Sequence, residues 1–576
     1  MFRVATPQNT PRAQPQLGAI TPLAIPYKGL NARDTFAVMG PEYAISLTNV
    51  LVEPYGLRTR KGYTEWATGL PAAVPVSTMM SYYPATAAPA LLSSPMKREF
   101  SMQHRLLVEP RSGSTTPPAG KLFAATGGGH IYNVTAGGPG PWTAEAGVVA
   151  PTAGDFWTWI NFQNLAGAFL VACNDDGGYA YYNGSSWAMP TAGAGIGQIN
   201  GVNPSLLCYV VEHMKRLWFI EKASTRAWYL PVSQITGTVS EFNFGEQFRH
   251  GGSLAALVRW TVDAGTDIND NLVAISSQGD VAVYQGTDPN SADTWSLKGV
   301  WYVGPLPVGR RAVVNTGADI HILSQFGVTP LSRLLNTIDM AQQETMRLTY
   351  MISPLIARLM RESSDLSGWK ITPIPKEELF LIGIPPDSIE FGGQFFGLKV
   401  PTGGWSLLNN LPYASFVSID SDCFAGTYDG RVVRAFDGPL DNVALGTTTG
   451  TAITCQVTPA YNTMEPGFTT GAQQKVFKLL RPTFITTLTP QLSVQIMTDY
   501  GGPKAPLYST LPSTPTSRWD LDRWDVALWA GLQEPIKEWI GIYGVGFTGT
   551  AQLDYVCGGD TVLASIDFWT EKGGVM

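Results

Sequence analysis

Charged residues are scarce in this sequence. They make up 14% of the 576 residues, and the net charge is −7. No basic run is longer than a few residues, which argues against a protein whose affinity depends on neutralising nucleic-acid phosphates. The sequence contains no apolar window of about 18 residues, so we expect no membrane-spanning helix. The first residues lack the apolar core of a signal peptide, so we expect synthesis and folding in the cytoplasm.

Cysteine and histidine are also rare, with five of each. The cysteines are widely spaced and form no CxxC pair, so neither a disulfide framework nor a zinc site is indicated, and buried free thiols are expected. No two histidines have metal-ligand spacing. The residues are Cys173, Cys208, Cys423, Cys455 and Cys557, and His104, His130, His213, His250 and His321.

The sequence motifs of common enzymes are missing too. There is no Gly-x-Ser-x-Gly elbow and no Walker loop, and the glycines between Gly193 and Gly197 lack the flanking strand and helix of a dinucleotide site. Acidic pairs occur where turn chemistry favours them, and none has calcium-loop spacing. These pairs are Asp175-Asp176, Asp267-Ile-Asn-Asp270, Asp420-Ser-Asp422 and Asp520-Leu-Asp522. We therefore predict that the protein is not an enzyme and has no catalytic, cofactor-binding or metal-binding residues.

Glycine, proline and aromatic residues, by contrast, are abundant: 61 Gly, 42 Pro and 11% aromatic residues. This composition is typical of a turn-rich, mainly β protein, and so much buryable aromatic surface excludes disorder as the main state. The stretch from Leu272 to Gly286 shows the basic unit. Two short β-branched or aromatic runs flank Ser277-Gln-Gly-Asp280, whose residue types tolerate a tight reversal, and a β-hairpin is predicted.

This hairpin unit occurs seven times. The first strands start at Leu122, Phe169, Leu217, Leu272, Ile320, Leu379 and Cys423, at intervals of 47, 48, 55, 48, 59 and 44 residues. A period near 40 to 50 residues with recurrent aromatics is typical of β-propeller blades, which cover their apolar faces by radial stacking. We predict a mainly β fold with a β-propeller of six or seven blades, in which the Trp and Tyr residues after each turn pack between blades. The alternative is a β-sandwich or jelly roll.

The remaining segments differ in character from the repeats. Residues 1–25 are rich in Pro, Gln and Thr and predict an extended N-terminal arm. Residues 26–75 form an N-terminal platform segment, and the propeller occupies 76–440. Residues 441–576 contain a series of predicted antiparallel strands and form a C-terminal β-sandwich-like platform domain. In its last strand Val562, Ala564, Ile566 and Phe568 alternate with polar residues, as in a half-buried strand.

An inserted helix explains the longest interval between hairpins. Apolar residues recur at helical spacing in the region of about 338–364. Asp339 and Gln342 resemble an N-terminal capping box, and Pro354 is expected to kink or split the helix. We predict that its Met-rich face packs on the propeller as core, and a contact with another subunit is the alternative.

Three short fragments precede the repeats in a characteristic order. They are Gly29-Leu30-Asn31, Leu47-Thr48-Asn49 and Gly56-Leu57-Arg58-Thr59-Arg60-Lys61-Gly62. Their order resembles the opening of the tail nozzle proteins of short-tailed bacteriophages, also called tail tubular protein B or the tail hub. In that family an insertion also follows a Gly-Val-x-x-Leu-Ser-like strand, here Gly327 to Ser332.

The resemblance implies a structural protein of the virion, assembled in the host cytoplasm. It implies a sixfold ring, a homohexamer, that lies below the portal and adaptor and continues and closes the DNA-ejection channel. Its partners would be the tail adaptor above it and tail fibres or spikes at the periphery. DNA would pass through the lumen without specific binding, and a mildly acidic wall suits that passage because it does not hold phosphates.

A monomeric carbohydrate-binding or glycoside-cleaving propeller is the alternative function. The acidic pairs would supply a general acid and base. The aromatic loops at 155–160 and 524–529 would stack on sugars, although exposed aromatic residues are equally suited to subunit contacts.

Overall fold

The computed structural model describes residues 18–70, 74–84, 120–127, 129–148, 154, 156–263, 268–291, 293–317, 319–335, 344–419, 422–464, 474–502, 507–509 and 534–572. Within these ranges the protein is mainly β, with many small sheets and two α-helices. The N-terminal part contributes β1 (Ala19–Leu23), β2 (Ala44–Thr48), β3 (Val50–Glu53), β4 (Gly56–Thr59) and β5 (Tyr63–Thr68).

Seven hairpin-based sheets follow, numbered here in chain order. Sheet 1 contains β6 (Thr78–Tyr82), β7 (Lys121–Ala125) and β8 (Ile131–Asn133), and β9 (Gly138–Pro139) comes after it. Sheet 2 contains β10 (Trp157–Asn164), β11 (Gly167–Asn174), β12 (Tyr179–Tyr182) and β13 (Trp187–Ala188). After β14 (Ile199–Asn200), sheet 3 contains β15 (Leu207–His213), β16 (Arg216–Glu221), β17 (Arg226–Tyr229) and, beyond β18 (Gly237–Thr238), β19 (Ser240–Asn243).

The second half of the series has the same organisation. Sheet 4 contains β20 (Leu254–Asp263), β21 (Ile268–Ser276), β22 (Asp280–Gly286) and β23 (Trp295–Tyr302), and sheet 5 contains β24 (Val313–Asn315), β25 (Ile320–Ser324) and β26 (Gly327–Pro330). Helices α1 (Leu331–Leu335) and α2 (Ser353–Ser363) come next. Sheet 6 contains β27 (Lys370–Ile374), β28 (Leu379–Gly383), β29 (Phe395–Lys399) and β30 (Gly404–Leu408), and sheet 7 contains β31 (Tyr413–Ile419), β32 (Asp422–Thr427) and β33 (Val432–Ala435).

Eight more strands follow in the described part of the C-terminal region. They are β34 (Ile453–Pro459), β35 (Lys475–Thr486), β36 (Gln491–Thr498), β37 (Leu507–Ser509), β38 (Glu534–Lys537), β39 (Ile540–Gly546), β40 (Gly549–Cys557) and β41 (Thr561–Lys572). Short 3-10 helices lie at Pro204–Leu206, Gly245–Gln247, Tyr350–Ile352 and Pro375–Glu377.

Each of the seven predicted hairpins forms the second and third strands of one sheet. The turn of sheet 4 shows why its sequence is suited to a reversal. Gly279 has a φ of +93°, and a Cβ there would lie 2.0 Å from the Gly304 carbonyl oxygen. Only glycine fits this position without strain. Six of the hairpins thus lie in separate sheets of three to five strands, and the hairpin of sheet 6 lies in a nine-stranded sheet that also contains β2, β34, β36, β37 and β40.

Consecutive sheets pack side by side in a propeller-like arrangement. The first strands of sheets 1 to 6 contact one another in sequence, and the first strand of sheet 7 contacts that of sheet 1. Phe123 of sheet 1 packs against Tyr182 of sheet 2, with ring centroids 4.9 Å apart. Phe424 of sheet 7 shares a buried cluster with Leu122 of sheet 1. Trp187, Trp295 and Trp405, which follow the hairpin turns, are buried in clusters shared between neighbouring sheets.

One strand lies in a different place from the one that the sequence predicted. Tyr63–Thr68 was assigned to the N-terminal platform segment, but β5 pairs antiparallel with Val432–Ala435 and forms the fourth strand of sheet 7. Its register includes a shift between Val432 and Val433. The pairing joins residues more than 360 positions apart, and no local pattern in the sequence indicates it.

The N- and C-terminal parts together form a two-layered β-structure, which we call the sandwich. One sheet contains β1, β3, β4, β35, β38, β39 and β41, and the other contains β2, β34, β36, β37 and β40 and continues into sheet 6 through β2 and β30. The two sheets enclose one core, in which Leu47, Val457 and Leu553 face Leu480 and Phe568. Residues 1–17 of the predicted arm lie outside the described residues, and β1 pairs with β41.

The described part of the helical insertion is divided into pieces. Helix α2 begins at Ser353, and Pro354 occupies its first turn, where a missing N–H costs no helical hydrogen bond. Helical residues 344–345 are separated from α2 by turns and a short 3-10 helix, so the helix is split ahead of Pro354 and is not kinked at it. Ile356, Leu359 and Met360 are buried against residues of sheets 5 and 6, so this helix face is core. Asp339 and Gln342 lie outside the described residues.

Candidate functional site

The three resemblance fragments meet where the sandwich joins sheets 6 and 7, a region that we call the joint. Gly29 has a φ of +80°, and a Cβ there would lie 2.5 Å from the Trp405 backbone nitrogen of β30. The next residue, Leu30, donates its backbone N–H to the Trp405 carbonyl over 2.8 Å. Asn31 accepts hydrogen bonds from the backbone N–H groups of Arg33 and Asp34 and so fixes the following turn. The first fragment is therefore a close backbone contact to sheet 6.

Arg60 of the third fragment forms a buried ion pair with Asp441 at the joint, and Asn49 of the second fragment binds the same guanidinium. Arg60 is 1% exposed, and its Nη1 and Nη2 atoms lie 2.7 and 2.6 Å from the two carboxylate oxygens of Asp441. Its Nε donates to the Asn49 side-chain oxygen over 2.9 Å, and its Nη2 also donates to the Asn409 carbonyl over 3.0 Å. Asn49 adopts a φ of 58° and donates to the Asn409 side chain and the Thr454 carbonyl. A buried charge is tolerated when it is paired and fully hydrogen-bonded in this way.

A second charge network lies beside this pair. Glu377 of sheet 6 is 4% exposed and contacts Arg58 Nη2 at 2.7 Å and Lys61 Nζ at 2.8 Å. Burial alone would raise the pKa of Glu377, but the charges of Arg58 and Lys61 overcome this effect and lower it. Glu53 bridges Arg58 and Lys399, at 3.2 and 3.1 Å. The basic residues of the third fragment thus hold β4 against sheet 6.

Glycine is required at the end of the third fragment. A Cβ on Gly62 would lie 1.8 Å from the Leu440 carbonyl oxygen and 2.8 Å from the Asp441 nitrogen. A Cβ on Gly56, whose φ is +146°, would lie 2.6 Å from the Leu563 carbonyl oxygen of β41. Both glycines let two backbones approach each other at the joint.

A second polar cluster, the axial cluster, lies where the first strands of several sheets begin. Arg311, just before sheet 5, donates through Nη2 to the Ser77 carbonyl at 2.7 Å and to Thr78 Oγ1 at 2.8 Å, both at the start of sheet 1. Its guanidinium carbon lies 4.2 Å from the ring centroid of Phe156, just before sheet 2. Lys370, the first residue of sheet 6, donates to the Tyr413 and Ala414 carbonyls of sheet 7, both at 2.9 Å.

Burial in the axial cluster disfavours the charged forms of both Arg311 and Lys370. Burial and then the neighbouring Arg311 hold the pKa of Lys370 well below its ordinary value. Burial also lowers the pKa of Arg311 to about 10, which the charge of Asp175 opposes. Lys370 Nζ donates in addition to the Tyr428 hydroxyl at 3.3 Å, and burial raises the pKa of Tyr428 to about 12.

The acidic pairs of the sequence do not converge on one centre in the residues that the structure describes. Asp176 pairs with Lys222, Asp270 pairs with Arg259 at 3.0 Å, and Asp422 lies 3.4 and 3.5 Å from Lys376 and Arg434. Asp175 is on sheet 2 near the axial cluster. Asp267, Asp420, Asp520 and Asp522 lie outside the described residues. Asp176, Asp270 and Asp422 come from three different acidic pairs and are thus ion-pair partners on separate sheets.

The described histidines and cysteines are also separate from one another, apart from one pair of cysteines. His213 contacts the Gly286 carbonyl at 3.3 Å, His250 contacts Asp280 at 2.7 Å, and His321 packs on Phe380. His130 is exposed, and His104 lies outside the described residues. All five cysteines are buried free thiols, and Cys455 and Cys557 interact within the sandwich core. Across the described ranges, no three His, Cys, Asp or Glu residues are grouped as metal ligands.

The aromatic loop that suggested sugar stacking is mostly internal. Trp157 is 3% exposed and belongs to the core between sheets 1 and 2. Phe156 covers the Arg311 guanidinium, and Trp159 is partly buried against the clusters around sheet 1. Asp155 and the loop at 524–529 lie outside the described residues. The described aromatic side chains of this loop are thus packing residues.

Sequence reasoning missed Asp441, Asn409, Arg311 and Lys370. The first two carry no local motif, because their partners are 381 and 360 residues away along the chain. A signal for Lys370 was present: a lysine between Trp369 and Ile371, in a strand that is otherwise apolar at its start. The apolar neighbours are the signal for burial, whereas lysine itself favours exposed positions unless its amine is paired.

Comparison with known proteins identifies no family. No protein-family model matches the chain, and no curated protein matches it. Among solved structures, the chain is similar to one described as YCF48 bound to D1 peptide, with 10% sequence identity, a TM-score of 0.31, and coverage of 55% of this chain and 87% of that chain. A likeness at this level supports no inference about function.

Among the residues that the structure describes, neither helix has the length and apolar character that crossing a bilayer requires.

Proposed function

We propose that the protein is a structural component of a short phage tail, a nozzle subunit that forms a ring below the portal and adaptor. The ring would continue and close the DNA-ejection channel. One observation carries the proposal: the fragments that resemble tail nozzle proteins meet at the joint. Gly29 lies against Trp405, Asn49 binds Asn409, and Arg60 binds Asp441. The resembling residues thus share one structural task, which is to fix the sandwich on sheets 6 and 7.

We also propose that the seven sheets close into a seven-bladed propeller. Three observations support closure. Sheet 7 packs on sheet 1 through a shared core, β5 adds an outer strand to sheet 7 from the N-terminal side, and Arg311 contacts residues at the start of sheets 1 and 7. In a propeller, an outer strand from the opposite end of the chain joins the last blade to the first and leaves only short edges.

The proposed partners are other copies of the chain in a homohexamer, the tail adaptor above the ring, and fibres or spikes at its periphery. DNA would pass through the lumen without specific binding. The net charge of −7 suits that role, because a wall that does not neutralise phosphates releases few counterions and does not hold the duplex. The proposed location is the virion, with assembly in the host cytoplasm.

Assembly is the property that tests this function. The purified full-length protein would be examined by mass photometry and negative-stain microscopy, alone and after mixing with the adaptor ring of the same phage tail. We expect rings of six copies, alone or when the adaptor is present. A stable monomer that does not bind the adaptor would contradict the proposal.

A parallel assay separates the nozzle from the carbohydrate-active alternative. The same preparation would be incubated with the capsular and lipopolysaccharide glycans of the host bacterium, and reducing ends would be measured over time. The nozzle proposal expects no release above a heat-denatured control. Sustained release by a monomer would instead establish the glycoside-cleaving function.

A further inference from the structure

The axial cluster contains groups from five of the seven sheets. Arg311 and Lys370 come from the starts of sheets 5 and 6, and they contact Thr78 of sheet 1, Phe156 beside sheet 2 and Ala414 of sheet 7. First strands from so many sheets come together only near the centre of the arrangement. The cluster therefore marks the axial end at which the first strands begin. Arg311, Phe156 and Tyr428 are each partly exposed there, whereas Lys370 is 4% exposed beneath them.

The positive charge of this cluster has no close counter-charge within the described residues. No carboxylate lies within 4.0 Å of Arg311 or Lys370 in those ranges, although Asp175 acts on Arg311 and Asp387 acts on Tyr428 from farther away. All the acceptors that bind the two cations there are carbonyl or hydroxyl oxygens. Two neighbouring buried cations cost free energy unless an anion compensates them.

Donor groups remain available at the exposed side of the cluster. Arg311 uses Nη2 for two hydrogen bonds and Nη1 for a weak one of 3.5 Å to the Ala414 carbonyl. Its Nε–H and one Nη1–H have no acceptor among the residues described. The Tyr428 hydroxyl accepts from Lys370, so its own proton is free to be donated. The cluster thus has unused guanidinium and phenol donors, and the phenol lies 3.3 Å from the buried Lys370 amine.

We propose that the axial cluster binds a small oxyanion, either phosphate or a carboxylate. Arg311 and Tyr428 donate hydrogen bonds to the oxyanion, and the buried Lys370 amine beside Tyr428 adds to the positive potential. Phe156 covers one face of the guanidinium and limits its access to water. The proposal concerns the centre of the sheets and does not depend on ring assembly or on the joint.

Binding is tested with the full-length protein at pH 7 by isothermal titration calorimetry and thermal unfolding. Sodium phosphate, sodium acetate and sodium chloride are compared at equal ionic strength. We expect saturable binding and a higher Tm with phosphate or with acetate but not with chloride. Binding of only one of the two oxyanions identifies the class of ligand. Equal Tm shifts in all three salts would overturn the proposal, since only ionic strength would then be acting.

Variants locate the site. Arg311→Gln removes a charged donor and is expected to weaken binding by about 10- to 100-fold, whereas Tyr428→Phe removes a neutral donor and is expected to weaken it by about 2- to 10-fold. Tyr428→Phe removes the 3.3 Å hydrogen bond from Lys370 to the phenol but keeps the contacts of both cations with Ser77, Thr78, Tyr413 and Ala414, so it carries the test if Arg311→Gln does not fold. Arg226→Gln, at a partly exposed arginine of sheet 3, is the matched control and should bind as the wild type does. Unchanged affinity in Tyr428→Phe and in every folded Arg311 variant would place the anion elsewhere and reject the site.

Discussion

At the scale of single residues, the Arg60–Asp441 pair shows how a buried charge becomes structural. All the hydrogen bonds of the guanidinium go to groups of the joint, including both carboxylate oxygens. Removing one partner leaves the other charge buried without compensation. We predict that Asp441→Asn or Arg60→Met lowers the free energy of unfolding by about 3–5 kcal/mol, measured by urea denaturation.

The double variant and a surface pair provide the comparison for this prediction. Arg60→Met/Asp441→Asn should cost less than the sum of the single changes, because neither charge is then stranded. Arg358→Gln, at a pair in which both side chains are more than 40% exposed, should change stability by at most about 1 kcal/mol. Equal losses at the buried and the surface pair would show that the joint does not depend on Arg60.

The burial of Lys370 leads us to predict, again at the residue scale, that the stability of the protein depends on pH. Burial lowers the pKa of Lys370 in the folded protein below the ordinary 10.5. Between these two pKa values the unfolded chain binds more protons than the folded one, so stability rises with pH in that window. We predict that the stability of the wild type relative to Lys370→Met rises as the pH is raised toward the ordinary lysine value of 10.5, measured by urea denaturation at each pH. A constant difference would mean that Lys370 titrates normally.

At the scale of elements, Gly62 lies between β4 and β5 and makes a very close backbone contact with Leu440. A Cβ at Gly62 would overlap the Leu440 carbonyl at 1.8 Å, whereas one at Gly541 on β39 would meet nothing within 4 Å. We predict that Gly62→Ala destabilises the protein by about 1–3 kcal/mol, because one backbone must move. Gly541→Ala is the matched control and should be close to neutral in thermal unfolding. Equal Tm values for Gly62→Ala and Gly541→Ala would show that the backbone at the joint can move to accommodate the added Cβ without loss of stability.

The same scale shows why the hairpins could be predicted from the sequence and other elements could not. A hairpin is encoded by neighbouring residues, and all seven were found from strand runs and turn residues. In β41 the predicted alternation fails at its start. Thr483 pairs with Ser565 but Phe484 pairs with Leu563, so Ala564 is an extra residue in a bulge. Leu563 is therefore buried where Ala564 was expected, and Ile566 and Phe568 remain buried as predicted.

Residues of the joint could be noticed in the sequence, but those of the axial cluster could not. Gly29, Asn49 and Arg60 were noticed as fragments of a resemblance, and the structure gives each a packing or pairing role at the joint. Arg311 and Lys370 were not noticed, because their significance comes from strands that begin more than 230 and more than 40 residues away. Long-range contacts of this kind depend on how the sheets are arranged in space, which no short window of sequence contains.

At the scale of the whole molecule, the two ends of the chain are interleaved with its middle. β2 connects sheet 6 to the sandwich, and β5 lies in sheet 7, so neither the sandwich nor the seven sheets are formed from one continuous segment. Trp66 of β5 is the residue that couples the last sheet to the first. Its indole N–H donates to the Val134 carbonyl at 2.9 Å, and its ring lies edge-on to Phe424 at 5.2 Å.

This coupling predicts where the molecule opens first. We expect Trp66→Ala to cost about 3–5 kcal/mol, as for other buried tryptophans, and to raise amide hydrogen exchange in β33 and β8 before it does so in β21 and β22. Trp187→Ala removes the same side chain from the core between sheets 1 and 2, whose sheets are consecutive in the chain, and it serves as the control. Hydrogen–deuterium exchange with mass spectrometry distinguishes the two variants. We call the contact between sheets 7 and 1 the seam. If the seam is held by non-covalent packing alone, only Trp66→Ala will expose β33. The reason is that β5 is the neighbour that protects the edge of β33. The same protection pattern in both variants would mean that opening does not start at this seam.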